Sequence, residues 1–380
     1  MSPIQPAQDL KQSALQSLYD DLTKKNMFPF WATSQSVDHD EVKQLMATAK
    51  AVPFVWKYAD IEPLLQRAAR LVSMDDSERR SLILINPGLS PKRASVSTMY
   101  TAYRLNDPDE IMPPHKHSPS AVRFGLTGKG NFTGVEGENV VFGPGDMVLT
   151  PNDAWHNHGT VAGEPAVNLS VLDLPLVEAL HAVHFDHKYT EIENGKEVVK
   201  KQQTARYPAD YSQRSYGEGG LRPRFLDHKR GGGLSSPMWV YRWERMQAAL
   251  DAFRDWDGDP HEGIVIDYVD PNTGGPVFHT ISFYAQMLRP GERTLAQRET
   301  ASLLLAPFQG SGHSIIDGKR YDWTQFDTLA VPGGCWVEHV NGSDKEPAVM
   351  FGATDAPTQR ALLLYKRWGR NPAGDLLRLA

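Results

Sequence analysis

Two stretches decide how this 380-residue chain is read: Pro113-Pro114-His115-Lys116-His117-Ser118-Pro119 and Pro151-Asn152-Asp153-Ala154-Trp155-His156-Asn157-His158-Gly159. Both lie in a block, Ser81 to Leu172, of short apolar alternations broken by Pro-Gly-Asp, Asn-Asp and Gly-Lys-Gly turns, which is the texture of β-strands. On a strand, residues two apart point to one face. His115 therefore shares a face with His117, and His156 with His158, while Arg123 has the parity of the first pair if no bulge intervenes. Two strands of one barrel can aim three imidazoles, His115, His117 and His156, at a single point. Three neutral imidazoles suit a divalent first-row metal, and positions left open around it suit Fe(II) oxygen chemistry; manganese accepts the same ligands. A lone His-x-His on a strand is more often a surface or hydrogen-bonded pair, so the frame around these residues carries the weight.

That frame resembles the two cupin motifs. The first reads Asp109, five residues, His115-x-His117, three residues, Ala121, six residues, Gly128; the second reads Gly145, five residues, Pro151-x-Asp153, two residues, His156, three residues, Thr160. The cupin pattern has Gly at Asp109 and at Asp153, Asn at Thr160, and Glu at Ala121. Without that Glu, three histidines remain, which leaves more coordination positions for a chelating substrate and dioxygen. Gly291, Gln297-x-Glu299, Leu303 and Gly310, then Pro332-x-Gly334, Val337 and Asn341, repeat the same spacing later in the chain. Gln297, Glu299 and Val337 stand at the ligand positions there, and His339 aligns with His158 rather than with His156. An internal repeat of this kind predicts a mainly β bicupin: two double-stranded β-helix (jelly-roll) barrels, one with a metal site and one metal-free.

Around the two blocks, residues 1–90 read as a helical N-terminal arm. Ile61, Leu64, Leu65, Ala68, Ala69 and Val72 form a helical stripe, with Asp60 as its expected N-cap and Pro63 in the first turn. The expected divisions are 91–185 for the catalytic barrel, 186–275 for a polar interdomain segment with one helix carrying Trp243, Met246, Leu250 and Phe253, and 276–380 for the second barrel and tail. Gly128-Lys129-Gly130 reads as a hairpin turn between strands and not as a nucleotide loop.

Composition narrows the partners. A net charge of −6 argues against a general nucleic-acid binder. A single cysteine, Cys335, excludes an internal disulfide and a Cys-based zinc site. The start, MSPIQPAQDLKQ, has no signal-peptide pattern, and the apolar runs are too short to span a bilayer, so a soluble cytoplasmic protein is expected.

Longer strings carry a more specific resemblance. Glu78-Arg79-Arg80, Ile85-Asn86-Pro87-Gly88-Leu89-Ser90-Pro91, His115 through Phe124, Pro144 through Pro151, Trp155 through Gly159 and Leu172 through Val177 are similar to the gentisate/salicylate 1,2-dioxygenase family of bicupins. The resemblance covers nearly the whole chain. It implies a homotetramer, one Fe(II) per chain in the first cupin, and O2-dependent cleavage of a 2-hydroxybenzoate between the carboxyl-bearing and hydroxyl-bearing carbons. It implies Arg79 as a substrate-binding residue supplied by the arm. The residues fit such chemistry: Arg123 offers a bidentate fork for the substrate carboxylate, and His158 can act on the phenolic proton.

Three departures bear on the substrate. Where the family often has Leu-Gln, this chain has Tyr103-Arg104; Ala102 replaces a common Gly; and Asn168-Leu169-Ser170-Val171-Leu172-Asp173 replaces Trp-Leu-Asp-Gly-Leu-Asp. Arg104 and Ser170 would line the pocket and move its charge in the positive direction, provided that Arg104 does not turn outward. A 5-substituted salicylate such as 5-nitrosalicylate is then the expected substrate, with gentisate and 1-hydroxy-2-naphthoate as alternatives. Another metal-dependent cupin enzyme and a non-catalytic metal-binding bicupin are the competing readings of the chain as a whole.

Overall fold

The computed structural model describes residues 5–27, 50–73, 80–221, 223–225 and 235–380. It divides into two units, 1–49 and 50–380. In the first, helix α1 spans Gln5–Lys24.

The second unit opens with strand β1 (Phe54–Trp56), helix α2 (Tyr58–Leu71) and β2 (Ser81–Ile83). The first barrel follows as β3 (Tyr100–Asn106), β4 (Lys116–His117), β5 (Ala121–Thr127), β6 (Asn131–Val135), β7 (Glu138–Phe142), β8 (Met147–Thr150), β9 (His156–Thr160), β10 (Ala166–Leu172) and β11 (Phe185–Asp186). A six-stranded sheet in the order β14-β8-β5-β10-β3-β2, with β14 at Val240–Tyr241, is bonded across the barrel interior to a three-stranded sheet β7-β6-β9 through Asn168 and Asn131. In the second barrel, β15 (Ile264–Tyr268), β16 (Ser282–Leu288), β18 (Leu303–Gln309), β21 (Thr328–Val331) and β23 (Ala348–Thr354) form one sheet with β1. Its opposite sheet contains β17 (Gln297–Glu299), β19 (Gly312–Ile316), β20 (Lys319–Trp323) and β22 (Trp336–Asn341). This is the bicupin architecture that the repeat predicts.

The arm is less purely helical than its stripe suggests, since β1 adds to the second barrel's sheet and β2 to the first's. In α2, Ile61 and Leu65 are buried, but Leu64 is 53% exposed. Lys57, not Asp60, holds the N-cap position, so Pro63 lies inside the helix. The reason is that the chain turns at Lys57, whose ammonium binds Asp327 at 2.9 Å, while the Asp327 carboxylate also accepts the Tyr58 N–H at 2.8 Å. The turn at Gly128 is not a hairpin either. It carries the chain from β5 to β6, which belong to different sheets.

The two barrels have opposite interiors. In the second, Leu305, Ile316, Trp323, Leu329, Val337 and Met350 fill the space between the sheets. In the first, the corresponding faces carry Arg104, Arg123, Asn131, Thr133, Thr150, Asn168 and Ser170, all buried. The outer face of the first barrel's large sheet is apolar, and Val122, Phe124, Leu169 and Val171 join Phe283, Phe308 and Phe351 in one core shared by both barrels. Tyr103 crosses that core, and its hydroxyl meets Thr328 Oγ1 at 2.7 Å.

Two of the glycine positions of the cupin frame show why the substitutions there are tolerated. Asp109 and Asp153 adopt left-handed backbone at φ 61° and 56°, and their counterparts Gly291 and Gly334 sit at 68° and 91°. Asp is among the few side chains that enter this region at modest cost.

Candidate metal centre and substrate site

The histidines converge through backbone pairing. His115, just before β4, forms an antiparallel bridge with His156, each N–H meeting the other's carbonyl at 2.9 Å. Their ring centroids are 4.3 Å apart. His117 lies 4.7 Å from His156, and His158 lies 4.9 Å from it. All four are buried. One nitrogen from each of His115, His156 and His158 lies within 4.8 Å of the other two. Donor-atom proximity therefore groups His158 with His115 and His156, while His117 is comparably near by ring distance.

The second nitrogen of each ring separates them. His115 Nδ1 faces the Pro113 carbonyl at 3.3 Å, His117 Nδ1 the Pro119 carbonyl at 2.8 Å, and His156 Nδ1 the Ala154 carbonyl at 2.7 Å. A carbonyl only accepts, so in each bond Nδ1 carries the proton and Nε2 keeps its lone pair, the form that binds a metal. His158 Nδ1 instead meets the Thr133 hydroxyl at 3.1 Å, a partner that can donate or accept.

The donor set fits a metal ion. Nε2 of His156 and of His158 are buried without a hydrogen-bond partner. Burial, reinforced by His115, His117 and Arg123, holds His156 well below its ordinary pKa. Burial, then Arg123 and the neighbouring imidazoles, does the same for His158. Both rings are neutral at physiological pH, as ligation requires. Ala121, where cupins often carry Glu, packs with Tyr100, Ala102, Leu172 and Leu174 and leaves no fourth ligand at that position.

Arg123 lies on β5, opposite Ser170 of β10 and Val148 of β8. It does not share a strand with the ligand pair, since Ser118-Pro119-Ser120 separates β4 from β5. Its Nη1 donates to Thr150 Oγ1 at 2.9 Å. Ser170 stands between Ala102 and Arg123 in the sheet and donates to the Ala102 carbonyl at 3.3 Å. Arg104 is only 4% exposed, so it does not turn outward. Its Nε donates to Asn106 Oδ1 at 2.6 Å, and its charge contributes to lowering the His158 pKa, which puts it on the interior face. Arg79 lies outside the described residues. Its neighbour Arg80 is buried in an ion pair with Glu110.

Sequence reasoning missed the strap formed by β11. Phe185 pairs in register with His117, its ring 5.5 Å away, and the His187 ring stacks 6.2 Å from His115. The alternation His184-Phe185-Asp186-His187 was its only signal.

The second barrel has no such cluster among its described residues. Gln297 Oε1 accepts from Arg367 at 2.7 Å, Glu299 accepts from the Tyr365 hydroxyl at 2.8 Å, and Val337 is buried in the apolar core. His339, the counterpart of His158, keeps the same kind of partner, with Nδ1 2.7 Å from the Ser314 hydroxyl.

Residues 106–172 match the cupin domain family. The chain is 33% identical to a 5-aminosalicylate 1,2-dioxygenase from a Comamonas species, over 95% of this chain and 91% of that protein. It is 31% identical to a gentisate 1,2-dioxygenase from a Ralstonia species, over 93% and 94%. A solved structure of salicylate 1,2-dioxygenase from Pseudoaminobacter salicylatoxidans with gentisate superimposes with a TM-score of 0.79 at 28% identity, covering 94% of each chain.

Proposed function

Because the chain belongs to the gentisate/salicylate 1,2-dioxygenase family of bicupins, we propose that it is an Fe(II)-dependent 1,2-dioxygenase. The reaction opens a 2-hydroxybenzoate between C1 and C2, and both atoms of O2 enter the product. His115, His117 and His156 hold one iron per chain. The observation that carries this reading is the fixed tautomer of those three rings, each set by a backbone carbonyl. When bound, the iron supplies the redox chemistry that lets dioxygen react with the ring.

The chain's own residues bind and orient the substrate. Arg123 holds the carboxylate through its guanidinium fork, and Arg79 contributes from the arm. Ser170 lines the same row of the sheet. His158 takes the phenolic proton at Nε2, and its Nδ1 partner, a hydroxyl, accommodates either ring tautomer. Phe185 and His187 rim the cluster. The two buried arginines, Arg104 and Arg123, together with Ser170 at a position where the family often has Asp, support a ring with a further electron-rich oxygen substituent, and we assign a 5-nitrosalicylate-like substrate in preference to gentisate. The assembly is a homotetramer.

The test is oxygen uptake by the iron-loaded protein with salicylate, gentisate, 5-nitrosalicylate and 1-hydroxy-2-naphthoate, in wild type and Arg104→Gln. Ring cleavage of any of these acids supports the reaction. Gentisate leading by a wide margin, with no change in Arg104→Gln, overturns the substrate assignment. No oxygen uptake with any of the four overturns the reaction.

A further inference from the structure

We propose that Thr150 is a positioning residue that fixes the guanidinium of Arg123 for the substrate carboxylate. This rests on the reading of Arg123 given above. Thr150 is fully buried and ends β8, opposite Ala121 of β5. Its hydroxyl proton is already committed, since Oγ1 donates to the Ala121 carbonyl at 3.0 Å. Oγ1 can then offer Arg123 only its lone pairs, and it accepts from Nη1 at 2.9 Å. The hydroxyl thus acts as a one-way anchor, and as a β-branched residue on a strand Thr150 has little χ1 freedom with which to release it. An arginine stem is long and has many rotamers. A fork pinned at one nitrogen meets a planar carboxylate in a defined orientation with less left to order on binding.

The internal repeat supplies an independent observation. The counterparts of Arg123 and Thr150 in the second barrel are Leu305 and Val331, both in the apolar core of that barrel. Leu303 faces Val331 there as Ala121 faces Thr150 in the first barrel. The strand pairing therefore forms without a hydroxyl or a guanidinium at these positions. The polar pair exists only in the barrel that holds the histidine cluster.

The experiment compares Thr150→Val, which reproduces the residue of the second barrel, with Thr150→Ser and Arg123→Ala. Salicylate affinity is measured by titration of the iron-loaded protein without oxygen, beside KM, kcat, iron content and melting temperature. Thr150→Val is expected to keep its iron and to weaken Kd and KM by on the order of tenfold, the scale of one hydrogen bond to a charged group, with a smaller change in kcat. Thr150→Ser restores affinity because it keeps the acceptor. If Thr150→Val binds salicylate as wild type does, or if Thr150→Ser is as impaired as Thr150→Val, the role of Thr150 is refuted. If Arg123→Ala also binds normally, the carboxylate reading falls with it; weakened binding in Arg123→Ala alone removes only Thr150. Should Thr150→Val not fold, Thr150→Ala against Thr150→Ser decides on the same measurements.

Discussion

Replacing His117 and His158 separately by Ala distinguishes two metal sites that differ by one residue. Ring distance does not choose between them, because the two rings lie 4.7 Å and 4.9 Å from His156, and donor-atom spacing groups His158 with His115 and His156. Tautomer does. His117 is tied through Nδ1 to the Pro119 carbonyl, whereas His158 faces the Thr133 hydroxyl. On the proposed assignment, loss of His117 removes one of three ligands. On the same assignment, loss of His158 removes only a neighbour of the ligands, and changes of that kind typically cost metal affinity about 10–100-fold. In His117→Ala the loss should exceed that range, and the protein should emerge from dialysis against a chelator with little iron. His158→Ala should keep near-stoichiometric iron and lose turnover. The assay is iron per chain by elemental analysis, followed by competition with a chromophoric chelator. Iron retained in His117→Ala and lost in His158→Ala would show that His115, His156 and His158 form the site, and the tautomer argument would be wrong.

Three further outcomes follow from the two barrels. Val337→His should add no second metal, because Gln297 and Glu299 are engaged by Arg367 and Tyr365; a second equivalent of bound iron contradicts this. Glu299 is pushed up to about 7 by burial, from an ordinary 4.5, so its folded form holds the proton more tightly and stability falls as pH climbs from about 4.5 through about 7. Glu299→Gln should flatten that decline in melting temperature between pH 5 and pH 8, and an unchanged slope would refute the cause. Asp109, left-handed at φ 61°, should accept Gly with little effect but lose about 1–2 kcal/mol on change to Val, as read by denaturant melts; equal stability of the two variants would show that the backbone there relaxes.

Much of the fold was legible because turn residues and ligand residues are short-range signals. The spacing around His115 and His156, and its echo around Gln297 and Val337, is set by hairpins and bends that a sequence displays directly. The convergence of the four histidines was less legible. It depends on a bridge between His115 and His156, and a two-residue strand leaves almost no periodicity to read. Leu64 shows a different limit. Its helical spacing is that of a core residue, but α2 buries a narrow face, so the stripe overstates what the helix contacts. The tautomers, the Thr150 anchor and the strap at Phe185 were not legible, because each joins residues from separate strands. Arg79 lies outside the described residues, and its role stays with the resemblance that suggested it.

The polar interior of the first barrel has an architectural consequence. A barrel usually draws its cohesion from the inside, but this one gives its inside to two arginines, four histidines and their polar companions. What holds its large sheet is the apolar outer face, where Val122, Phe124, Leu169 and Val171 lie against the second barrel, with the Phe124 and Phe351 rings 4.3 Å apart. The second barrel therefore serves as the wall on which the first is built. A minimal enzyme cannot be cut from this chain at residue 185: the excised barrel would present that face to water and aggregate, however complete its histidine cluster.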